Sequence, residues 1–130
     1  MKKYFILLIS IVLLFILIGC SSTTISIKEN NQKEKYSLRE GDIIEVILNA
    51  NPSTGYIWQI VNIDNLKLTL VDETYTAKTI NKDIVGSGGN KIYHFKAISK
   101  GNTAIELIYF RPFEKELLPN KKLQVNLDIR

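Results

Sequence analysis

The last ten residues, KKLQVNLDIR (Lys121–Arg130), alternate without a break. Leu123, Val125, Leu127 and Ile129 face one way, and Gln124, Asn126, Asp128 and Arg130 the other. A period of two puts successive side chains on opposite faces, so this segment is a strand with one buried and one wet face. Such a strand needs a hydrogen-bonded neighbour and a second apolar layer, and the rest of the chain offers both. TAIELIY places Thr103, Ile105, Leu107 and Tyr109 on one side, and KIYHFKAIS does the same with Tyr93, Phe95 and Ala97. LKLTL sets Leu66, Leu68 and Leu70 against Lys67 and Thr69, and GYIWQIV carries Tyr56, Trp58 and Ile60 in phase, with Trp58 expected in the core. DIIEVILN is apolar on both faces for part of its length, as a central strand is. TTISIKE reads as an edge strand, and KYSLREGD leads into a turn at Gly41. Beyond the N-terminal segment no stretch has a helical period. Short strands separated by turn signals predict an all-β, immunoglobulin-like sandwich.

The chain opens MKKYFILLISIVLLFILIGC. Lys2 and Lys3 precede an apolar run from Tyr4 to Ile18, which is short for a membrane span and suits a signal peptide. Leu17-Ile18-Gly19-Cys20 resembles the bacterial lipobox, in which the cysteine receives a diacylglyceryl group and becomes the new N-terminus. The expected organisation is a lipoprotein signal peptide over 1–19, a lipidated tether with the first edge strand over 20–35, and the main folded domain over 36–130. The product would be an extracytoplasmic protein held on a membrane by its lipid. Cys20 is the only cysteine, so the mature domain has no internal disulfide and relies on its core. The formal charge of +4 falls to +2 without Lys2 and Lys3. No basic stripe with interleaved aromatics is present, which argues against nucleic-acid binding.

Strand parity gives the arrangement of the loops. If neighbours from Asp42 onward run in opposite directions, the connections Ala50–Thr54, Glu73–Asn90 and Arg111–Lys121 fall at one end. The short connections NIDN and SKGN fall at the other. A sandwich that gathers its elaborate loops at one pole reads as a binding module. In the first loop, Pro52 fixes its own φ, Gly55 permits a conformation other residues avoid, and Ser53 and Thr54 offer hydroxyls at the tip. Taken alone, NPSTG is also compatible with an ordinary turn. The second loop ends Gly86-Ser87-Gly88-Gly89, which suits flexibility or close backbone approach. It lacks the spacing and the following lysine of a phosphate-binding loop. The third opens Arg111-Pro112-Phe113, an arginine and an aromatic on a stiffened segment, as in interface anchors.

An enzyme has little support. Ser53, His94 and a carboxylate could be imagined as a triad, but alternation with Tyr93 and Phe95 turns His94 away from the core in mid-strand, and Ser53 belongs to a polar loop. One histidine and one lipidated cysteine leave no metal cluster, and no cofactor is expected.

In order, NPSTG, GSGG and RPF resemble the chagasin family of cysteine-protease inhibitors, whose pattern is NPTTG, then GxGG, then RPW or RPF-like. The flanking GD, GYIW and F-K-A…G elements also fit, and the resemblance runs from about Tyr36 to Arg130. It implies a monomeric immunoglobulin-like sandwich that blocks papain-like cysteine proteases by reversible, tight binding. Asn51, Pro52, Ser53, Thr54 and Gly55 fall on the central wedge of that family, with Thr54 nearest the protease's catalytic groups. Gly86, Gly88 and Gly89 fall on the second loop, with Ser87 at its variable position, and Arg111, Pro112 and Phe113 on the third. Ser53 stands where Thr is commoner and Phe113 where Trp is commoner. The alternative function is a non-inhibitory surface lipoprotein that binds another protein.

Overall fold

A computed structural model of the protein describes residues 1–4, 19, 21–30, 32–78, 86–114 and 118–130. Cys20, most of the apolar run before it and the middle of the glycine-rich loop (79–85) lie outside the described residues, as do 115–117.

Eight strands follow in chain order: β1 (Thr24–Lys28), β2 (Tyr36–Leu38), β3 (Ile43–Ala50), β4 (Ile57–Ile63), β5 (Leu68–Ala77), β6 (Gly89–Ala97), β7 (Gly101–Phe110) and β8 (Lys121–Ile129). They form two four-stranded sheets, ordered β1-β3-β6-β5 and β2-β8-β7-β4. The expected immunoglobulin-like β-sandwich is therefore the fold. β1 runs parallel to β3, Thr24 pairing with Ile43, and β2 runs parallel to β8. The other pairs are antiparallel.

The alternating segments supply the core. Leu123, Val125, Leu127 and Ile129 of β8 lie buried with Ile105 and Leu107 of β7, and they are covered by Tyr93, Phe95 and Ala97 of β6 and by Ile44, Val46 and Leu48 of β3. β3 is central in its sheet, between β1 and β6; Ile44, Val46 and Leu48 face the core, while Ile43, Glu45 and Ile47 on the other face are only half-buried. Ile27 of β1 joins the same core. The Tyr93 hydroxyl crosses between sheets to donate to the Trp58 carbonyl at 2.9 Å. Burial pushes its pKa up to about 12, so it stays a donor.

Two expectations fail in the same place. Leu66 is not a strand residue; it lies in a turn where Asp64 accepts from the Leu66 and Lys67 backbones, and its side chain is exposed. Leu70 is exposed as well, and the register of β5 against β6 shifts between Leu70 and Asp72. Only Leu68 of the three leucines is buried. The second loop is also shorter than Glu73–Asn90, because β5 continues through Ala77 and β6 begins at Gly89. β5 is an edge strand with both faces open beyond Leu68. It carries no apolar alternation to read there, although beyond the shift its pairing with β6 runs unbroken from Asp72↔His94 to Ala77↔Gly89.

Candidate functional site

Asn51–Gly55 leaves the end of β3 as a single 3-10 turn over Pro52–Thr54. Proline suits the first helical position, where its missing N–H would have no partner. Asn51 is the cap: its Oδ1 accepts from the Ser53 N–H at 3.2 Å and the Ser53 hydroxyl at 2.5 Å. Its carbonyl accepts from the Thr54 N–H at 3.1 Å and the Thr54 hydroxyl at 2.6 Å. Gly55 closes the turn at φ 79°, donating to the Pro52 carbonyl at 3.0 Å. A side chain here would need the left-handed region that L-residues avoid, and a Cβ would also lie 2.7 Å from the Phe113 ring. The turn thus satisfies its own polar groups while Pro52, Ser53 and Thr54 remain exposed.

Two partly buried contacts hold the base of this turn. The backbone N–H of Asn51 donates to the Tyr109 hydroxyl at 3.0 Å, and the Trp58 indole donates to the Asn49 carbonyl at 2.8 Å. Tyr109 stacks on Tyr56 and on Trp58, with centroids 5.1 and 5.0 Å apart. The Arg111 guanidinium covers the far face of this stack, 4.4 Å from the Tyr56 centroid, within cation–π range. Its Nε donates to the Thr54 carbonyl at 3.2 Å, and its Nη1 pairs with Glu114 at 3.0 Å. The bond to Glu114 holds the Arg111 pKa above its ordinary value.

The glycine-rich loop closes the other side. The Asn51 side-chain amide donates to the Gly86 carbonyl at 3.1 Å. Ser87 donates through its hydroxyl to the Lys78 carbonyl at 2.9 Å, and the Gly88 carbonyl accepts from the Lys78 N–H at 3.0 Å. Gly89 is buried at the start of β6, where a Cβ would sit 2.2 Å from the Thr76 carbonyl oxygen. Only glycine lets β5 and β6 approach this closely. Phe113 is exposed and rests its ring edge over Gly55.

The structure therefore brings the first loop together with Gly86 on one side and with Arg111 and Phe113 on the other. Tyr56, Tyr109 and Glu114 join these residues as supports that the loop motifs alone did not single out. Tyr109 left one signal: it is the last inward-facing residue of its strand, two positions before RPF, and a tyrosine there carries its polar tip to the pole.

Ser53 and His94 are not brought together. Ser53 is committed to Asn51 at the pole, while His94 lies in the middle of β6, opposite Glu45 of β3 and Asp72 of β5. Its side chain faces away from the core, as expected, but it is partnered rather than simply solvated. Nδ1 lies 2.5 Å from Asp72 and Nε2 3.2 Å from Glu45. The bond to Asp72, with Glu45 adding to it, raises the His94 pKa. Glu45 accepts from the Ser26 hydroxyl, and that bond, followed by His94, lowers the Glu45 pKa. Each imidazole nitrogen is taken by a carboxylate, so the cluster neither activates Ser53 nor converges on a cation.

A two-sheet sandwich that presents a proline-braced turn between a glycine-rich loop and an Arg-Pro-Phe loop is a loop-presenting binding protein. The chain belongs to the chagasin family: the model of chagasin family peptidase inhibitors (I42) matches residues 37–127. It is similar to amoebiasin-2 of Entamoeba histolytica, with 31% identity over 120 residues that cover 90% of this chain and 97% of that protein. It is also similar to chagasin of Trypanosoma cruzi, at 27% identity over 56% of this chain and 68% of that protein. Among solved structures, the crystal structure of a cysteine protease inhibitor from Entamoeba histolytica superposes with a TM-score of 0.76 at 28% identity, covering 86% of this chain and all of that one. These relatives are inhibitors and not enzymes.

Proposed function

We propose that the chain is a reversible, tight-binding inhibitor of papain-family cysteine proteases, acting as a monomer with Asn51–Gly55 as the wedge that enters the active-site cleft. The observation that carries this reading is the bonding between loops at one pole: Asn51 to Gly86, and Arg111 to Thr54. A protease cleft takes an extended peptide. The wedge is a 3-10 turn whose Asn51 and Pro52 carbonyls already accept hydrogen bonds from within the turn. It can fill the cleft without presenting an extended, cleavable segment. Because the turn is fixed before binding, little conformational entropy is lost on association. Ser53 and Thr54 lead, Gly86–Gly89 flanks with backbone, and Arg111, Pro112 and Phe113 flank with larger side chains. The lipid on Cys20 and an extracytoplasmic, membrane-anchored location belong to the same proposal.

The test is a titration of papain with soluble Ser21–Arg130, followed by mass spectrometry of the inhibitor. Stoichiometric, reversible inhibition with the chain intact is expected. A folded domain that leaves papain active overturns the reading and favours a non-inhibitory binding lipoprotein. Thr54→Ala should weaken inhibition while the domain stays folded, and undiminished inhibition by that variant removes the wedge assignment. Cys20→Ala should abolish incorporation of radioactive fatty acid in cells, and equal labelling of both forms would disprove lipidation.

A further inference from the structure

Strand direction separates the two ends of the molecule. β3 runs from Ile43 to Ala50, which leads into the wedge, and β1 lies parallel to it with Thr24 beside Ile43. The chain therefore enters the sandwich at the pole opposite the loops. The entry point is fixed. The Thr23 N–H donates to Asp42 at 3.0 Å, and the other Asp42 oxygen accepts from the Arg39 N–H at 2.8 Å. Asp42 is buried, and these two backbone bonds, Arg39 first, hold its pKa below the ordinary carboxylate value. Cys20 lies three residues before this latch, so a lipid on it is confined to the same pole.

That pole carries an apolar feature for which the fold has no use. The turn between β4 and β5 presents Leu66, which at 81% exposure is the most exposed large apolar side chain among the described residues from Thr24 onward. The neighbouring turn between β6 and β7 presents Ile98, also exposed. The Ile98 N–H donates to the Lys67 carbonyl at 2.8 Å, which fixes the two turns side by side. Lys67 and Lys100 stand next to these residues, Lys67 paired with Asp64 at 2.6 Å and Lys100 exposed. Apolar tips beside an exposed lysine match a bilayer interface, where the apolar groups enter the headgroup boundary and the Lys100 ammonium stays with phosphates.

We infer that the pole formed by Leu66, Ile98 and the Asp42 latch is a membrane-docking base, so that the lipidated protein stands on the bilayer with its three loops pointing away. The eight residues of β3 set the loops about 25 Å above the surface, clear of the headgroups and open to a soluble partner. The inference rests on lipidation of Cys20 and is independent of protease inhibition.

The test uses the full lipidated chain in vesicles of phosphatidylethanolamine and phosphatidylglycerol. With Cys20 lipidated, an introduced cysteine is the single free thiol. Leu66→Cys, Ile98→Cys and, at the loop pole, Asn120→Cys are each labelled with a fluorophore, and the vesicles carry a headgroup nitroxide quencher. The labels at positions 66 and 98 should be quenched several-fold more than the label at 120. Equal quenching at both poles, or stronger quenching at 120, overturns the docked orientation. Failure of the purified chain to float with vesicles removes the anchor on which it rests. None of these readouts involves a protease, so loss of the inhibitor reading would leave them unchanged.

Discussion

The backbone N–H of Asn51 donates to the phenolic oxygen of Tyr109 at 3.0 Å, across 58 residues of chain. The bond ties the first loop to the inner face of β7, so the position of the exposed turn is set from the core. Tyr109→Phe keeps the ring and its stacking but leaves the Asn51 N–H without its partner. The expected loss is about 1 kcal/mol, divided between stability and inhibition. Inhibition should weaken up to about fivefold with the inhibitor still intact, as a papain titration beside a thermal melt would measure.

Asn51 can be separated into its two roles. Asn51→Asp retains the oxygen that caps the 3-10 turn, and aspartate is a good cap. It loses the amide that donates to the Gly86 carbonyl and sets a negative charge against that oxygen. The melting temperature should move little, while affinity for papain should fall about tenfold or more, near 1.4 kcal/mol. An equal loss in Asn51→Ala and Asn51→Asp would place the importance of Asn51 in the Gly86 bond rather than in the cap.

What the sequence made legible follows from burial. Leu123 to Ile129 alternate because β8 lies between β2 and β7 with one face on the core, so the pattern and the environment share one period. β5 is an edge strand exposed beyond Leu68. Nothing selects apolar residues at alternate positions there, which is why Leu70 misled and Glu73–Ala77 passed for loop, while Leu66 belongs to the turn before the strand. Parity along the chain was enough to gather the loops at one pole. The bonds from Asn51 to Gly86 and from Arg111 to Thr54 were not legible, since they join loop atoms whose approach depends on how the two sheets pack.

The two tightest glycines should behave in opposite ways. At Gly89 an added Cβ meets the Thr76 backbone oxygen at 2.2 Å, and neither strand can yield without breaking pairing. Gly89→Ala should destabilise the domain by about 3 kcal/mol and lower its melting temperature by ~15 °C. At Gly55 the nearest atoms belong to the exposed Phe113 ring, which can swing aside. Gly55→Ala therefore bears mainly the backbone strain, about 1 kcal/mol, and should damage inhibition more than stability. A Gly55→Ala variant that melts as low as Gly89→Ala would contradict this division.

The Asp72–His94–Glu45 cluster predicts a pH dependence with a definite sign. The folded pKa of His94 is raised above its ordinary 6.5, chiefly by Asp72. Its stabilisation is fully present below pH 6.5 and is lost as pH rises through the folded value. Glu45 is lowered from its ordinary 4.5, chiefly by Ser26. Its contribution is present above pH 4.5 and is lost as pH falls through the folded value. The cluster therefore contributes most between these ordinary values. The groups are partly exposed, with Asp72 at 55%, so the gain is below about 1 kcal/mol. His94→Gln should melt a few degrees below the native protein near pH 5.5, and the gap should close near about pH 8.5. Papain inhibition should be the same for both at either pH, because His94 lies in mid-strand and away from the loops. A gap that widened toward alkaline pH would mean that the neutral imidazole, not the imidazolium, is the form the two carboxylates hold.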